Sequence, residues 1–400
     1  MVEANGRLLQ GLWDRNLNNI SKISWCRVKT VYFLLISCLF KTALHERGAV
    51  KLTIGIPVLN EKLHLPETLN SIFREARTTL ENFEVLIIDN ASTDGTSDFL
   101  SEIIKLEEWP KNIQLRVVQN RENMGFSDSI KNLIRLGVGD YLWLLGGQEV
   151  LLVDALTSVF SYLKEAPWQI VLNTTVWDEA TNSEIWDNMY RRWEDKRYNS
   201  PEDYFIDLGG PSVSISANIS RREPLVTRLD IPTVTHYWNW LERWIDVAVD
   251  PKRKGEIIFI SKPTVRILIE EQGWVATGID SAGKTEVQNA NPLHFTSLEL
   301  TEMAKNKFNS NKTIRNSIGT YRDPFNCIRA IAIAKANGLD LGSAKIWRTS
   351  KAYGFTYWYW LVGLPLLFIP SQFFRGESIE KAKRVIHFLR KVFKAPAKNL

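Results

Sequence analysis

A chain of 400 residues with 44% hydrophobic side chains is long enough for one large or two ordinary globular domains with a substantial core. Its mild net charge of +5 argues against a dedicated nucleic-acid-binding protein, so we expect no nucleic-acid partner. The three cysteines, Cys26, Cys38 and Cys327, lack the spacing of a metal site, which predicts reduced thiols in a cytosolic compartment.

Residues 1–48 form a basic, asparagine-rich arm without a regular hydrophobic period. The arm contains one apolar run, Val31–Phe40, which is too short to span a bilayer. No small-residue cleavage site follows this run clearly, so the arm lacks the pattern of a secretory signal. The run predicts a buried or surface-lying helix, with a membrane-touching arm as the alternative.

Residues 51–165 alternate short apolar runs with helical patterns. The predicted strands are Leu52–Val58, Phe83–Asp89, Ile113–Gln119 and Tyr141–Leu145. The predicted helices run from Pro66 toward Leu80, over Ser97–Glu107, from Ser127 or Asp128 through Leu136, and over Ala155–Glu165. Such runs fit strands that are covered on both faces by the helices of right-handed βαβ units. The expected fold class is therefore α/β with a mostly parallel sheet, whose ligands bind at the carboxyl ends of the strands.

The pattern changes after a strand predicted at Gln169–Val176. Residues 177–211 are rich in charged and aromatic side chains and predict a long irregular excursion over the sheet. Further strands are predicted at Ser212–Ile219 and Ile257–Ile267, and helices at Thr233–Val249, Ser297–Phe308 and Pro324–Asn337. Pro263 lies inside the last strand and predicts an edge strand or a bend, because proline donates no ladder hydrogen bond.

The C-terminal part has a membrane-like composition. No charged side chain occurs in residues 352–374, a length that meets the requirement of a bilayer span, but Pro365 and Pro370 interrupt it. Residues 379–394 then place apolar side chains on one helical face and lysines and arginines mostly on the other, which is typical of a helix lying on anionic lipid. The pattern predicts peripheral or re-entrant attachment to the cytoplasmic face of the inner membrane. The alternative is an aromatic-rich core helix with a solvated basic tail.

Three segments carry a family resemblance: IGIPVLNE (Ile54–Glu61), IIDNASTDGT (Ile87–Thr96) and NMGFSDSIKN (Asn123–Asn132). Together they resemble the opening of the family 2 glycosyltransferases, which have the GT-A fold, over residues 51 to about 153. The segment Gly209–Glu223 resembles a subgroup that includes abequosyltransferase-like enzymes of bacterial surface polysaccharide synthesis.

The resemblance implies a nucleotide-sugar donor site at the ends of the first strands. The Asp that matches Asp89 contacts the nucleoside in the family, although a carboxylate at this position also suits a turn or a helix cap. The family has Tyr where Leu59 stands here, which weakens the expected stacking on the base. The predicted donor-binding residues are Pro57, Leu59, Glu61, Asp89, Ser92, Asn123, Gly125, Gly146, Gly147 and Gln148.

The loop after the fourth strand departs from the family pattern. The family places an Asp-x-Asp motif there to hold a divalent cation on the diphosphate. Here the strand is followed by Gly146, Gly147, Gln148 and Glu149, so one carboxylate remains. Three interpretations stay open: Glu149 holds Mg²⁺ or Mn²⁺ almost alone, a metal-independent enzyme uses cationic side chains or the backbone N–H groups of Gly146 and Gly147, or activity is lost.

An inverting transfer needs a base that takes the proton from the acceptor hydroxyl. The candidates are Asp207, Glu242 and His236, and each of them also has a structural interpretation, such as an ion pair between Glu242 and a basic side chain. Four tryptophans offer either an acceptor-sugar platform or core packing: Trp238, Trp240, Trp244 and Trp274.

We therefore predict an inverting glycosyltransferase that moves a sugar from a nucleotide-sugar to a hydroxyl of a glycan. The predicted acceptor is lipid-linked, in surface polysaccharide (lipopolysaccharide O-antigen) synthesis. The alternative is a non-catalytic GT-A subunit that scaffolds a glycan-assembly complex. The predicted organisation is an arm at 1–48, a GT-A domain at 49–270, a helical extension at 271–345 and a membrane-associating tail at 346–400. The oligomeric state stays open.

Overall fold

The computed structural model describes residues 50–106, 109–178, 182–190, 192–212, 214–235, 238–269 and 297–318, together with 328, 331, 350, 354, 357 and 359–370. Several predictions therefore lie outside the described residues: the N-terminal arm, the loop before residue 297, most of the helix at 324–337, and the basic segment after residue 370.

One mixed sheet contains the strands of the described part of the chain. In chain order they are β1 Leu52–Val58, β2 Phe83–Asp89, β3 Ile113–Gln119, β4 Tyr141–Leu144, β5 Val150–Leu151, β6 Gln169–Asp178, β7 Ser183–Trp186, β8 Lys196–Tyr198, β9 Asn218–Arg221 and β10 Ile257–Ile269. Their order across the sheet is β3-β2-β1-β4-β9-β6-β10-β5, with β7 beside β6 and β8 beside β10. The predicted α/β class is thus confirmed, and the sheet, predicted to be mostly parallel, is mixed, because β5, β7, β8 and β9 run antiparallel to their neighbours.

Strand direction places the loops of interest at one edge. Strands β1 to β4 are mutually parallel, and β9 runs antiparallel to both β4 and β6. Strand β6 therefore points the same way as β4, and β10 is parallel to β6. Because Val58 pairs with Asp89 and Asp89 with Gln119, the first three strands end at the same level. The loops that follow them are consequently neighbours.

Helices cover both faces of the sheet. They are α1 Leu65–Ala76, α2 Thr96–Leu106, α3 Phe126–Leu136, α4 Ala155–Leu163, α5 Pro201–Leu208, α6 Arg222–Val226, α7 Asn239–Ala248, α8 Ser297–Lys307, α9 Lys312–Ser317 and α10 Leu364–Phe368. Helices α1 and α4 bury their apolar faces in one core, and α3, α7 and α8 in the other. Trp238, Trp240 and Trp244 belong to the second core and are at most 5% exposed, which confirms their core interpretation. Trp274 lies outside the described residues.

The second half of the domain is more regular than the sequence predicts. Residues 177–211 contain β7, β8 and α5 instead of an irregular excursion. The strand predicted from Ser212 begins at Asn218, because a 3-10 turn occupies Ile215–Ala217. Pro263 lies in a bend and not at an edge: β10 pairs on both sides, and its register with β6 shifts between Ile260 and Val265.

The C-terminal described segment contains a π-helical turn, Tyr359–Gly363, followed by α10. Several of its large apolar side chains are exposed: Tyr357, Trp360, Leu361, Phe368 and Ile369. Among the residues that the structure describes, no helix has the length and apolar character needed to cross a membrane.

Candidate functional site at the carboxyl edge of the sheet

The loops after β1 and β2 are fastened to each other by side chain-to-backbone hydrogen bonds. The backbone N–H of Asn60 donates to the Ser92 hydroxyl (2.9 Å), and the Asn60 side-chain oxygen accepts from the backbone N–H of Thr93 (2.8 Å). The backbone N–H of Lys62 donates to the Asp94 carboxylate (3.0 Å). Asn60 has a φ of +60°, which asparagine tolerates better than most residues. The two loops therefore form one rigid unit.

Asp89, the last residue of β2, organises the second of these loops. One carboxylate oxygen accepts the backbone N–H of Ser92 (3.0 Å), and the other accepts the hydroxyl of Ser97 at the start of α2. The side chain is only 1% exposed. The structure thus gives Asp89 the turn role that the sequence left open beside donor contact. An ionised carboxylate has about four acceptor positions, so acceptor capacity remains after these two bonds.

Asn90 is a hub that the sequence analysis missed. Its side-chain N–H donates to the Asn123 side-chain oxygen (2.6 Å), and its own oxygen accepts from Asn120 and from the backbone N–H of Met124 (both 2.9 Å). Asn90 is 3% exposed. It joins the end of β2 to the loop that contains Asn123 and Gly125, both predicted as donor-binding. A polar residue directly after a buried strand was the only signal for this role.

The loop after β4 packs against the loop after β1. A Cβ atom on Gly147 would lie 2.9 Å from Cγ of Glu61, so a larger residue does not fit there. The Gly147 carbonyl accepts the Thr68 hydroxyl of α1 at 2.8 Å. The predicted donor-binding residues therefore gather at one edge. Of these, Pro57, Leu59, Glu61, Ser92, Asn123, Gly146 and Gln148 are half-buried, and Asp89, Gly125 and Gly147 are buried.

Glu149 does not offer a free carboxylate at this edge. It is 7% exposed, and one of its oxygens accepts the backbone N–H of Gly146 at 2.6 Å. Burial raises the pKa of Glu149, and hydrogen bonds from Gly146 and Ser216 counter part of that rise. In the described ranges, no group of three His, Cys, Asp or Glu side chains is placed to hold a metal ion. Glu149 is therefore a buried carboxylate that already holds a backbone group of its own loop. The Gly146 N–H, one of the two backbone groups that the sequence offers to a diphosphate, is engaged by this carboxylate.

Asp207 is held by cations on the surface. It forms ion pairs with Arg192 and with Lys196 (2.7 Å), and it accepts the hydroxyl of Tyr198 (2.7 Å). Burial opposes ionisation of Asp207, but the bonds from Lys196 and Tyr198 and the charge of Arg192 outweigh it and lower its pKa. Tyr198 pairs with Ile257, the first residue of β10, at the amino end of that strand. The structure therefore does not bring Asp207 together with Asp89.

Glu242, on α7, is completely buried. Its carboxylate accepts the backbone N–H groups of Val234 (3.0 Å) and Thr235 (2.8 Å), and it pairs with Lys307 of α8 at 2.5 Å. This arrangement explains why the helix predicted from Thr233 begins at Asn239: the preceding residues turn around Glu242. His236, the third candidate base, lies outside the described residues.

Several known glycosyltransferases are similar to this chain. The sequence model of Glycosyl transferase family 2 matches residues 53–227. Abequosyltransferase RfbV of Salmonella typhimurium is 34% identical over 110 residues, which are 27% of this chain and 31% of that protein. An uncharacterized glycosyltransferase of Haemophilus influenzae is 21% identical over 197 residues, 46% of this chain and 57% of that protein.

The chain thus spans less than two thirds of these relatives. Among solved structures, S. aureus TarS 1-349 superposes with a TM-score of 0.50 at 14% identity, covering 80% of this chain and 89% of that one. At this identity the likeness shows the fold alone, and that fold is GT-A, as the sequence predicts.

Proposed function

Since residues 53–227 belong to glycosyltransferase family 2, we propose that the chain transfers a sugar from a nucleotide-sugar donor to a hydroxyl group of a glycan acceptor. The observation that carries this proposal is the convergence of the loops after β1, β2 and β4 at the carboxyl edge, inside the family-matched residues. Ligands of open α/β sheets bind at that edge.

The nucleoside lies, in this proposal, between the loops after β1 and β2. Leu59 and Ser92 are half-buried there, so each keeps a surface that a ligand can contact. Asp89 fixes the turn and uses its remaining acceptor positions for N–H or O–H groups of the nucleoside. The donor is thereby bound and oriented by loops whose backbone is already fixed, and this lowers the entropic cost of reaching the transition state.

The departing diphosphate needs positive charge close to it. Lys62, in the loop after β1, is exposed and reaches across to Gly95 in the loop after β2. Its Nζ lies 2.8 Å from the position that a Cβ atom on Gly95 would occupy. We assign the diphosphate to this cation. Lys62→Ala is expected to weaken binding of UDP, GDP, CDP or dTDP about tenfold, whereas Lys111→Ala, an exposed lysine before β3, is the matched control and leaves binding unchanged.

Three residues are candidates for the catalytic base, and an experiment distinguishes them. Asp207 and Glu242 already hold cations or backbone N–H groups, and the lowered pKa makes Asp207 a weak base. Loss of the true base lowers kcat about 10²–10⁴-fold while donor binding persists. Comparing His236→Ala, Asp207→Asn and Glu242→Gln in turnover and in nucleotide affinity identifies it.

The acceptor is proposed to be a lipid-linked glycan of surface polysaccharide synthesis, met at the cytoplasmic face of the membrane. The support is chemical: exposed Trp360, Leu361 and Phe368 precede a segment, residues 371–400, with eight lysines and arginines and two glutamates. Deleting residues 352–400 is expected to release the protein from vesicles containing phosphatidylglycerol. Trp193→Ser, at an exposed tryptophan elsewhere, is the control; unchanged flotation of the deletion variant would contradict membrane attachment.

One calorimetric panel tests the proposal as a whole. UDP, GDP, CDP and dTDP are titrated into the full chain with and without Mn²⁺, and nucleotide-sugars that correspond to the bound nucleotide are then tested for hydrolysis. We expect one nucleotide to bind and its sugar conjugates to turn over. Failure of all four nucleotides to bind would favour a GT-A scaffold subunit without catalysis.

A further inference from the structure

The loop between β4 and β5 is closed on itself by Glu149. The backbone N–H of Glu149 donates to the Gly146 carbonyl (3.2 Å), and its carboxylate accepts the Gly146 N–H (2.6 Å). The same residue therefore binds both backbone polar groups of Gly146. A side chain that reaches back in this way restricts the loop to one conformation.

A second element lies beside the same carboxylate. The side chain of Ser216, in the 3-10 turn before β9, acts to lower the pKa of Glu149 against the effect of burial. Ser216 is fully buried, and its carbonyl accepts the indole N–H of Trp143 at 2.7 Å. Trp143 lies in β4 and pairs with Ile219 of β9. Trp143 thus links β4 to the turn that leads into the neighbouring strand.

Gly146 and Glu149 are matched in shape. A Cβ atom on residue 146 would lie 2.9 Å from the carboxylate carbon and from one carboxylate oxygen of Glu149. Such a contact forces one of the two groups to shift. The glycine therefore leaves the space that the carboxylate fills, and the two residues serve one arrangement.

We propose that Glu149 has a structural role, in which it clasps the loop after β4 through both backbone groups of Gly146, and that donor binding uses no divalent cation held by this carboxylate. This inference rests on the proposed function for its second half only. A cation at Glu149 would have to share a carboxylate that is 7% exposed and already accepts the Gly146 N–H, and the described residues offer no group of three acidic, histidine or cysteine side chains to surround it.

The clasp is tested first by a double-mutant cycle on thermal stability. Glu149→Ala alone and Gly146→Ala alone are each expected to lower the Tm by about 3–8 °C. In the double variant the new Cβ occupies the space that the carboxylate leaves, so the combined loss is smaller than the sum by at least about 2 °C. Glu149→Gln keeps an oxygen for the Gly146 N–H, so its Tm is expected to fall less than that of Glu149→Ala. The clasp would be overturned if the losses of Tm in the two single variants added up in the double variant, or if Glu149→Ala and Glu149→Gln lowered the Tm equally.

The cation is tested by the full chain and Mn²⁺. Electron spin resonance of free Mn²⁺ compares wild type with Glu149→Gln, with and without the nucleotide that binds. We expect no binding of Mn²⁺ that depends on Glu149, and nucleotide affinity within about twofold in EDTA and in Mn²⁺ for both proteins. If Mn²⁺ raised the nucleotide affinity of the wild type tenfold or more and this gain disappeared in Glu149→Gln, the inference would be overturned. If no nucleotide binds at all, the proposed function fails, while Mn²⁺ titration and the stability cycle still decide the role of Glu149.

Discussion

The two halves of the sheet use carboxylates in different ways. In the first half, Asp89 and Asp94 hold turns that lie within a few residues of them in sequence or in the adjacent loop, and those turns form the rim of the donor site. In the second half, Asp207 and Glu242 bind cations from other elements, and Asp207 lies at the amino end of β10. A sequence motif specifies the first arrangement, whereas tertiary contacts specify the second. The carboxylates of the two halves therefore need different experiments to reveal their roles.

The largest effect is expected from Glu242, where that contrast is sharpest. Glu242→Ala leaves the backbone N–H groups of Val234 and Thr235 without their acceptor, while Lys307 keeps its ion pair with Asp246. Losing these bonds together with one arm of a buried ion pair costs about 3–5 kcal/mol of unfolding free energy, which urea denaturation measures. Ser101→Ala, at an exposed position of α2, is the control. If Glu242→Ala were to fold with wild-type stability and lose only turnover, Glu242 would be the base and the contrast would fail.

Asp89 gives the next largest effect and tests the first half. Asp89→Ala removes the acceptor of the Ser92 N–H and of the Ser97 hydroxyl, and the expected loss of unfolding free energy is about 2–4 kcal/mol. Asp89→Asn keeps an oxygen for the Ser92 N–H and is expected to restore most of that stability.

The Asn variant then separates the turn from the donor. An amide offers one acceptor oxygen, so we expect Asp89→Asn to bind the nucleotide about tenfold more weakly than wild type in calorimetry. Wild-type affinity in the Asn variant would assign Asp89 to the turn alone, and the nucleoside would have to be bound by neighbouring groups.

Asn90 gives the third largest effect: Asn90→Ala is expected to lower the free energy of unfolding by about 1–3 kcal/mol. This variant leaves Asn123, Asn120 and the Met124 N–H without their shared partner. The loop after β3 then keeps the backbone bond from Asn120 to Asp89 but loses its side-chain bonds to Asn90, so we expect hydrogen exchange of residues 121–125 to accelerate while β1 stays protected. Protection unchanged across both segments would show that Asn90 is not the hub.

These expectations also show how far the sequence reaches. The bounds of β1, β2 and β3 agree with the prediction to the residue, because each strand is an apolar run bounded by turn-forming residues. The hub role of Asn90 depends on β3 lying beside β2, and sequence order alone does not specify such a neighbour. The partner of Asp246 and Glu242 is Lys307, which stands 61 residues after Asp246. Pairing over such a separation follows from the packing of α7 against α8 and leaves no local pattern.

Asp207 is expected to give the smallest effect, and its pH dependence is the informative part. Its partners Arg192 and Lys196 are about half exposed, so Asp207→Asn should cost only about 0.5–1 kcal/mol at neutral pH. The folded-state pKa of Asp207 lies below its ordinary value of 3.8. A lowered carboxylate pKa contributes stability above the unfolded-state value, and that contribution is lost as the pH falls through the folded-state value. The difference between wild type and Asp207→Asn should therefore stay constant from about pH 7 to pH 5 and shrink below about pH 4. A difference that instead grew with acidification would mean a raised pKa, and Asp207 would then regain its place among the candidate bases of the second half.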